Sequence, residues 1–320
     1  MLFAVTRISE AGVGLMSKPS VAVVGCGKVG SALALLLKER GYPVVAVASR
    51  SPGPAQKLAR SLDCSAYDRP WEATLKADLV FITTPDREIA PVSELIARQG
   101  GFRSGQVVAH TSGAHASSEL HGVQEAGALA VSIHPLQSFA DVAGARENLP
   151  GSYFALEGDE AAIPVARQVV DDLQGHAFII KAEDKPLYHA AACIASNYLV
   201  SLMHLATSVY GRFGLSRREA FEALYPLVRG TINNIRRVGP VEALTGPVAR
   251  GDVPTIAGHL PALDQVGNRE SRLYRLLGLY TIQVAREKGS IDAGQARQLE
   301  EVFMASANGE DVSKSKEVSS

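Results

Sequence analysis

The segment Gly25-Cys26-Gly27-Lys28-Val29-Gly30 constrains the fold of this chain more than any other stretch. It follows a short apolar run, 21–24, and precedes an apolar-periodic segment, 31–40, which predicts a helix. A lone G-x-G-x-x-G pattern is weak, because glycine is common and the pattern is short. Between a strand and a helix, the same pattern predicts the phosphate-binding turn of a dinucleotide-binding domain. The alternative is an ordinary glycine-rich turn.

Each glycine of this loop has a predicted task. Gly25 permits a tight turn out of the strand, Gly27 leaves room for a pyrophosphate beside the backbone, and Gly30 lets the helix pack closely on the strand. Lys28 and Val29 lie at the helix N-terminus, where free N–H groups and a partial positive charge favour phosphate. We therefore predict that this loop binds the pyrophosphate of a cofactor.

Alternating strands and helices follow the loop. Apolar strands are predicted at 43–48, 77–82, 106–110 and 128–133, and helices at 55–62 and 88–99. Two last strands and the helix between them are predicted at 153–156, 177–180 and 160–174. Near-continuous apolar strands are typical of a parallel sheet covered by helices on both faces. The predicted fold class is therefore α/β, with a Rossmann dinucleotide-binding domain first.

The second strand ends at Ser49-Arg50-Ser51, about twenty residues past the glycine loop, where the adenosine ribose of the cofactor is expected. A site that prefers NAD usually has Asp or Glu at this position, which accepts from the ribose hydroxyls. A guanidinium with two hydroxyls instead suits a 2′-phosphate, through charge-assisted hydrogen bonds. The sequence therefore predicts NADPH as the preferred cofactor. The alternative is that Arg50 only begins a solvated loop.

Polar residues follow three strands of the predicted sheet, at the edge where ligands bind in open α/β sheets. Thr84 and Pro85 follow the strand at 77–82 and are predicted to contact the cofactor. Ser112 and His134 follow the next two strands, so that a hydroxyl and an imidazole meet at one edge. They are predicted to hold a carboxylate or carbonyl of the substrate. For His134, the alternative is a structural position before a proline.

After residue 181 the alternation of strands and helices ends, and the remaining chain is predicted to be helical. The predicted domains are a disordered extension at 1–19, a Rossmann domain at 20–182, a helical domain at 183–306 and a disordered tail at 307–320. Met16 is a candidate natural start, which would account for the extension.

A long helix is predicted from Lys185 to about Phe213, and its middle, 190–209, is apolar around most of its circumference. Such a helix must be buried on nearly all sides. The polar residues within it argue against a membrane span. Because one small domain can hardly bury this helix alone, we predict a homodimer that shares the helical domain.

Lys185 and His189 are four residues apart and share one face of this helix, with Asn197 to one side. They lie near its amino end, next to the predicted cofactor domain. A lysine or histidine there can protonate an oxygen or nitrogen as hydride arrives at carbon, and an asparagine can orient the substrate. The alternative is that Lys185 is solvated and His189 is a packed interface residue.

Two signals concern the later helices. Ser216 and Glu219 predict a capping box for the next helix, and Pro226 predicts a kink within it. The polar Gly/Pro loop at 244–252 is a candidate site, although a plain turn with Asp252 capping the following helix is favoured.

Composition excludes several classes of function. The formal net charge of the 320 residues is -1, with both signs mixed, so nucleic acid and an acidic membrane surface are not expected as partners. Cys26, Cys64 and Cys193 are widely spaced and odd in number, so neither a disulfide framework nor a metal site is indicated. A signal peptide is not recognisable, and a cytoplasmic protein is predicted.

Five motifs together resemble a known family. They are the glycine loop, His110-Thr111-Ser112-Gly113-Ala114, Ser132-Ile133-His134-Pro135-Leu136-Gln137, Tyr188-His189-Ala190-Ala191-Ala192 with Ser196-Asn197, and Leu244-Thr245-Gly246-Pro247 with Ala249-Arg250-Gly251-Asp252. The chain resembles Rossmann-like oxidoreductases, described as deazaflavin- or NADP-dependent, whose helical C-terminal domain has no assigned function.

The resemblance implies an NADP-binding domain and an all-helical dimerisation domain, similar in plan to pyrroline-carboxylate reductases and β-hydroxyacid dehydrogenases. The lysine-and-asparagine helix motif of the β-hydroxyacid dehydrogenases has no clear counterpart, because the spacing from Lys185 to Asn197 is longer. Their mechanism therefore does not transfer directly.

The predicted activity is the NADPH-dependent reduction of a C=O or C=N bond in a small carboxylate, and a ketopantoate-like 2-oxo acid is one candidate substrate. Two alternatives keep the fold. One is a non-catalytic sensor that binds NADP(H), and the other is a deazaflavin:NADP oxidoreductase.

Overall fold

The computed structural model describes residues 18–305. The predicted disordered tail at 307–320 and nearly all of the predicted extension at 1–19 lie outside the described residues. Within 18–305, eight strands form one sheet. They are β1 Val21–Val24, β2 Val44–Ala48, β3 Ser65–Tyr67, β4 Leu79–Ile82, β5 Val107–His110, β6 Leu129–Pro135, β7 Tyr153–Gly158 and β8 His176–Ile179.

The order of the strands in the sheet is β3-β2-β1-β4-β5-β6-β7-β8. Strands β1 to β6 are parallel, whereas β7 is antiparallel to β6 and pairs in parallel with β8. The strand order reverses between β1 and β4, and ligands bind at such a switch point. The carboxyl ends of β2, β1, β4, β5 and β6 lie side by side, so the loops that follow them form one edge.

Helices cover both faces of this sheet within the described residues. They are α1 Lys28–Glu39, α2 Pro52–Leu62, α3 Pro70–Thr74, α4 Asp86–Arg98, α5 Val142–Asn148 and α6 Ile163–Asp172. One apolar core lies between the sheet and α1, α2 and α6, and a second lies between the sheet and α3 and α4. Every residue of β1 and β4 is buried, which explains why these strands are apolar without alternation.

The chain beyond the sheet is helical up to residue 304. Its helices are α7 Lys185–Cys193, α8 Leu199–Tyr210, α9 Arg217–Glu242, α10 Val253–Asp264, α11 Asn268–Glu287 and α12 Ala293–Met304. A π-helical turn, Ile194–Tyr198, joins α7 to α8. The predicted α/β class with a helical C-terminal region is confirmed.

The chain forms two compact units that divide between Asn197 and Tyr198. The sheet, α1 to α6 and α7 belong to the first unit, and α8 to α12 belong to the second. The predicted boundary at 182–183 is where the alternation of strands and helices ends. The first unit continues past it by one helix, because Lys185 in the first turn of α7 is buried and bonded to loops of the sheet.

The second unit has its own apolar core between α10, α11 and α12. The predicted capping box is present, since Ser216 and Glu219 exchange both hydrogen bonds at the start of α9. Pro226 lies inside α9 with helical dihedrals, and the predicted kink there stays a prediction. The backbone leaves helical dihedrals at Gly239, where φ is 83° and ψ is 164°, and Pro240 follows it. Asp252 caps α10 by accepting from the Thr255 N–H, as the plain-turn interpretation predicts.

One helical stretch of the described chain, Ala182–Phe213, is long and apolar enough to cross a membrane by length and composition. It consists of α7, the π turn, α8 and short turns at either end. Large apolar side chains along it are exposed in the isolated chain, among them Leu187, Ile194 and Val200. Because so many apolar side chains are exposed, we expect this stretch to pack against another molecule.

Candidate active site

Two glycines of the loop, Gly25 and Gly30, are tightly packed, whereas the third, Gly27, borders open space. Gly25 has a φ of 108°, a conformation that side-chain-bearing residues rarely adopt, and a Cβ there would lie 2.8 Å from the backbone of Thr83 and Thr84. A Cβ at Gly30 would overlap the Gly25 carbonyl oxygen and the Thr83 hydroxyl. Around Gly27, no heavy atom lies within 4 Å of a Cβ position. The loop is therefore tight beneath the backbone and open above Gly27.

Helix α1 begins at Lys28, and no side chain caps its N-terminus. The N–H groups of its first turn have no acceptor within the helix. Acidic residues are absent from this turn, so its partial positive charge is not neutralised locally. Lys28 and Val29 thus contribute backbone donors, and their predicted role as cofactor-binding residues stays a prediction.

A groove of about 600 Å³ opens above the loop, over the carboxyl ends of β1, β2 and β4. It is lined by Val24, Gly25, Cys26, Gly27, Ser49, Arg50, Ser51, Pro54, Asp68, Pro70, Trp71, Thr83, Thr84, Pro85, Arg87, Glu88, Val92 and Leu95. The structure thus brings Ser49, Arg50 and Ser51 into one groove with Thr84 and Pro85.

Arg50 lies in this groove with an exposed side chain and forms no ion pair within residues 18–305. Its guanidinium is therefore free to bind a ligand. Arg87, in the first turn of α4, faces the same groove and contacts Glu88 at 3.3 Å. Trp71 adds an aromatic wall that the sequence interpretation missed, because it lies in the short helix α3.

Thr84 supplies an unpaired polar atom in the groove. Its Oγ1 is buried and has no hydrogen-bond partner within the described chain. Thr83 differs, since its hydroxyl donates to the Gly25 carbonyl at 2.7 Å and joins β4 to the glycine loop. A buried hydroxyl without a partner is unfavourable unless a ligand completes it. Together with the open space above Gly27, this fits a nicotinamide dinucleotide, whose pyrophosphate the α1 N-terminus would hold.

A second group of polar side chains lies at the carboxyl ends of β5 and β6. Ser112 is buried, and its hydroxyl accepts from the N–H groups of Ala114 and His115 at 3.2 and 3.1 Å. Its own N–H donates to His110 Nδ1 at 3.1 Å. The Ser112 hydroxyl oxygen therefore stabilises the turn after β5. Because it already accepts two hydrogen bonds there, it is not a free acceptor for substrate, and its predicted substrate-binding role stays a prediction.

Lys185 is enclosed rather than solvated. The residue is 1% exposed, and its Nζ donates to Ser132 Oγ at 2.6 Å and to the Ser112 carbonyl at 3.1 Å. Burial lowers the pKa of Lys185 to about 8, so the ammonium is mostly charged at neutral pH. The solvated alternative for Lys185 is wrong, because the first turn of α7 packs on the strand ends.

His134 and Tyr188 form a hydrogen-bonded pair between β6 and α7. His134 Nδ1 lies 2.7 Å from the Tyr188 hydroxyl, and the two rings meet edge to face. Burial and the neighbouring Lys185 lower the pKa of His134 to about 4, so its imidazole is neutral at pH 7. Burial raises the pKa of Tyr188 to about 12, so the phenol keeps its proton. One of their two protons forms the hydrogen bond between them, so the neutral pair can donate one hydrogen bond outward without carrying charge.

His189 follows Tyr188 in α7 and packs beside the His134–Tyr188 pair. Its ring centroid lies 6.0 Å from that of His134, and its Nε2 lies 3.6 Å from Cys193 Sγ. Its Nδ1 is buried without a hydrogen-bond partner in the described chain. A Cβ at Gly113 would lie 2.6 Å from this atom and 2.7 Å from His134 Nε2, so only glycine fits between the two imidazoles.

The structure therefore brings together Ser112, His134, Lys185 and His189, as predicted, although their roles stay predictions. Asn197 is exposed in the π-helical turn that follows α7, and its predicted role stays a prediction. Ser132 and Tyr188 complete the cluster and carried no predicted role. A signal for Ser132 was available, because it lies two residues before His134 and so shares its face of β6.

Comparison with known families supports this architecture. Residues 9–135 match a Rossmann-like domain, and residues 152–281 match a domain of unknown function, DUF2520. Each match covers less than half of the chain, and the two follow one another along it. Together they confirm the predicted resemblance to Rossmann-like proteins with a helical C-terminal domain of unassigned function. The DUF2520 match includes β7, β8 and the helices through most of α11.

Solved structures extend the comparison. Protein TM1727 from Thermotoga maritima is 29% identical, with a TM-score of 0.64 over 84% of this chain and 97% of that chain. BF3122 from Bacteroides fragilis, described as a candidate NADP oxidoreductase, is 21% identical, with a TM-score of 0.66 over 86% and 99%. A pyrroline-5-carboxylate reductase from Coxiella burnetii is 13% identical, with a TM-score of 0.56 over 89% and 98%. The last two establish the fold alone. A search of curated proteins finds no match.

Proposed function

We propose that this protein is an NADPH-dependent oxidoreductase that reduces a C=O or C=N bond in a small carboxylate. One observation carries the proposal: a dinucleotide groove and a buried cluster of proton-bearing side chains lie along one edge of the same sheet, within one compact unit. The similar structures described as oxidoreductases support it. Among them, BF3122 supports NADP, and the pyrroline-5-carboxylate reductase supports a C=N substrate with a carboxylate.

Cofactor binding in this proposal uses three parts of the groove. The α1 N-terminus and Gly27 hold the pyrophosphate, and the orphaned Thr84 hydroxyl bonds to the cofactor. Arg50, with Ser49 and Ser51, binds the 2′-phosphate, since its guanidinium forms no ion pair within the described residues. When bound, NADPH supplies the hydride.

The cluster at β5 and β6 prepares the substrate for that hydride. The His134–Tyr188 pair offers one neutral donor to the carbonyl, imine or carboxylate group of the substrate. Lys185 supplies positive charge behind them, which favours negative charge that develops on the substrate heteroatom. The proton comes from Lys185 or His189. Because Lys185 is enclosed, its direct participation requires local opening of the turn after β5.

The substrate proposal stays at the level of chemical class, with a ketopantoate-like 2-oxo acid as one candidate. Calorimetry with NADPH and NADH, side by side, is the first test. Preference for NADPH, followed by oxidation of NADPH with a panel of 2-oxo acids and cyclic imines, would support the proposal. Tight binding with no turnover would favour a sensor, and reduction of NADP by a reduced deazaflavin would favour the third candidate.

We further propose that the protein is a cytoplasmic homodimer. Large apolar side chains are exposed along the helices of the second unit, including Val200, Phe213, Leu227, Leu276 and Tyr280, at 68, 70, 68, 64 and 67%. An exposed set of this size is typical of an interface. A second copy of the chain carries the same apolar surface, so it can cover the exposed helices. The unpaired thiols Cys26, Cys64 and Cys193 fit a reducing compartment.

A further inference from the structure

Glu157 is a buried carboxylate outside the cofactor groove. It is 7% exposed and lies in β7, whose sequence YFALEG is otherwise without charge. Its two oxygens accept from the backbone N–H and the hydroxyl of Ser117, at 2.7 and 2.8 Å. Neutral partners satisfy its hydrogen bonds but do not balance its charge. A buried charge of this kind requires a positive group nearby.

The pairing of β6 with β7 identifies that positive group. Glu157 is the direct partner of Ser132 in the antiparallel register. Side chains of paired residues project from the same face, with Cβ atoms about 4.5–5.5 Å apart. Lys185 Nζ lies 2.6 Å from Ser132 Oγ. The ammonium therefore lies on the same face of the sheet as Glu157 but makes no direct ion pair with it, while Ser117 occupies the carboxylate oxygens.

Other titratable groups also surround Lys185. Its charge interacts with those of Asp86 at the start of α4, His110 at the end of β5 and His134 on β6. Tyr188 and His189 lie three and four residues further along α7. Burial lowers the pKa of His110 to about 3 and that of His134 to about 4, so both are neutral near pH 7. Burial lowers the pKa of Lys185, and the charges of Glu157 and then Asp86 oppose that shift. Asp86 is exposed and its field is screened. Glu157 is thus the enclosed countercharge.

We propose that Glu157 is a positioning residue, whose buried carboxylate keeps Lys185 in its charged form at the ends of β5 and β6. It acts through space, because its own hydrogen bonds go to Ser117. The consequence for turnover rests on the proposed function. The protonation state of Lys185 is a property of the protein alone and can be measured without a substrate.

The test is an NMR titration of the full-length protein labelled with ¹³C at lysine Cε. The Lys185 resonance is assigned by its loss in Lys185→Arg. Glu157→Gln removes the charge, yet it is nearly isosteric and retains groups that can pair with Ser117. We expect this variant to lower the Lys185 pKa by about one unit or more relative to the wild type.

Ser117→Ala is the matched control. It removes one hydrogen bond from Glu157 and leaves the carboxylate in place, so the Lys185 pKa should stay within a few tenths of the wild-type value. An unchanged Lys185 pKa in Glu157→Gln would overturn the proposal. An equal decrease in both variants would also overturn it, because packing rather than charge would then control Lys185.

A stability cycle keeps the proposal testable if Glu157→Gln does not fold. Lys185→Met leaves Glu157 as an unbalanced buried charge, so adding Glu157→Gln to Lys185→Met should raise the thermal midpoint. A further decrease would contradict the proposal. In turnover, the alkaline limb of kcat/KM should move to lower pH in Glu157→Gln by the same amount as the NMR pKa. A shifted NMR pKa in a protein that reduces no substrate would refute the proposed function and leave the role of Glu157 intact.

Discussion

Alanine at Gly30 should destabilise the first unit more than alanine at Gly27 does. A Cβ at Gly30 would overlap the Gly25 carbonyl oxygen and Thr83 Oγ1. Overpacking of this kind typically costs about 1–3 kcal/mol. Displacement of Thr83 would also break its 2.7 Å hydrogen bond to the Gly25 carbonyl, at about 1 kcal/mol.

The helix preference of alanine opposes these losses by roughly 1 kcal/mol, since Gly30 lies within α1. The net expectation for Gly30→Ala is therefore a loss of about 1–3 kcal/mol. For Gly27, the Cβ position is open and the backbone is extended, with a φ of -79° and a ψ of -167°. The cost is limited to the N-cap preference of glycine over alanine, roughly 0.5–1 kcal/mol.

Cofactor affinity, in contrast to stability, should be affected directly by alanine at Gly27. The methyl group of Gly27→Ala would occupy the space above the loop where the pyrophosphate is expected, and we expect NADPH affinity to fall by roughly tenfold or more, about 1.4 kcal/mol. Calorimetry measures the affinity, and urea unfolding followed by circular dichroism measures the stability of both variants.

Two results would refute this reasoning. Wild-type NADPH affinity in a folded Gly27→Ala protein would mean that the pyrophosphate does not pass over Gly27. Equal stability of the two variants would mean that the close approach of α1 to β4 does not constrain position 30. Cofactor is omitted from the unfolding experiments, because ligand binding would itself raise the apparent stability.

Four further predictions concern the site and the interface. Arg50→Asp should weaken NADPH binding by tenfold or more, on the order of 1.4 kcal/mol, and NADH binding much less; equal losses in calorimetry would count against a 2′-phosphate contact. Turnover should decline as pH rises through about 8, because Lys185 then loses its charge, and Lys185→Met should remove this limb from the pH profile. His189→Ala should abolish turnover and spare NADPH binding, and an unchanged rate would make His189 a packing residue. Light scattering should give twice the chain mass, and Leu227→Glu with Leu276→Glu should yield monomers; association with vesicles instead would favour a membrane partner for the exposed helices.

The parallel part of the sheet could be predicted because its signal is strong. β1 and β4 are buried on both faces, which requires uninterrupted apolar runs, and each run ends in a loop with Gly, Pro or Thr. β3, α3 and α5 carry no such signal and were missed. β3 has three residues at the edge of the sheet, and α3 has five, so neither is long enough to show a period.

Helix geometry was predictable where local chemistry decides it. The Ser216–Glu219 capping box is a local exchange of two hydrogen bonds, and it forms as predicted. Asp184 is the N-cap residue of α7, yet its side chain makes no capping bond. The break in α9 occurs at Gly239 rather than at Pro226. Gly239 adopts a positive φ that breaks the helix outright, whereas a proline inside a helix removes one hydrogen bond and can be accommodated.

The candidate cluster shows where sequence reasoning stops. The sequence placed Ser112 and His134 at adjacent strand ends, since parallel strands bring their carboxyl ends to one edge. It could not show that Lys185 would be enclosed there, because enclosure depends on the packing of α7 against the turn after β5. It also gave no role to Glu157, since a single carboxylate in an apolar strand has no periodic partner in the sequence. Only the β6–β7 register brings it beside Ser132.

The enclosure of Lys185 has a consequence for the chemistry. An exposed lysine near the cleft would keep a pKa close to its ordinary 10.5 and would be charged at every physiological pH. Its pKa would then be a poor match for proton transfer at pH 7. Burial brings the pKa to about 8, where small changes in local charge alter the protonated fraction. If the protein uses this lysine in catalysis, we expect the Glu157 carboxylate to set the pH range of the reaction. The proposed cofactor residues, Arg50 and the glycine loop, are different ones, so we expect the pH range and the cofactor preference to be changed by separate mutations.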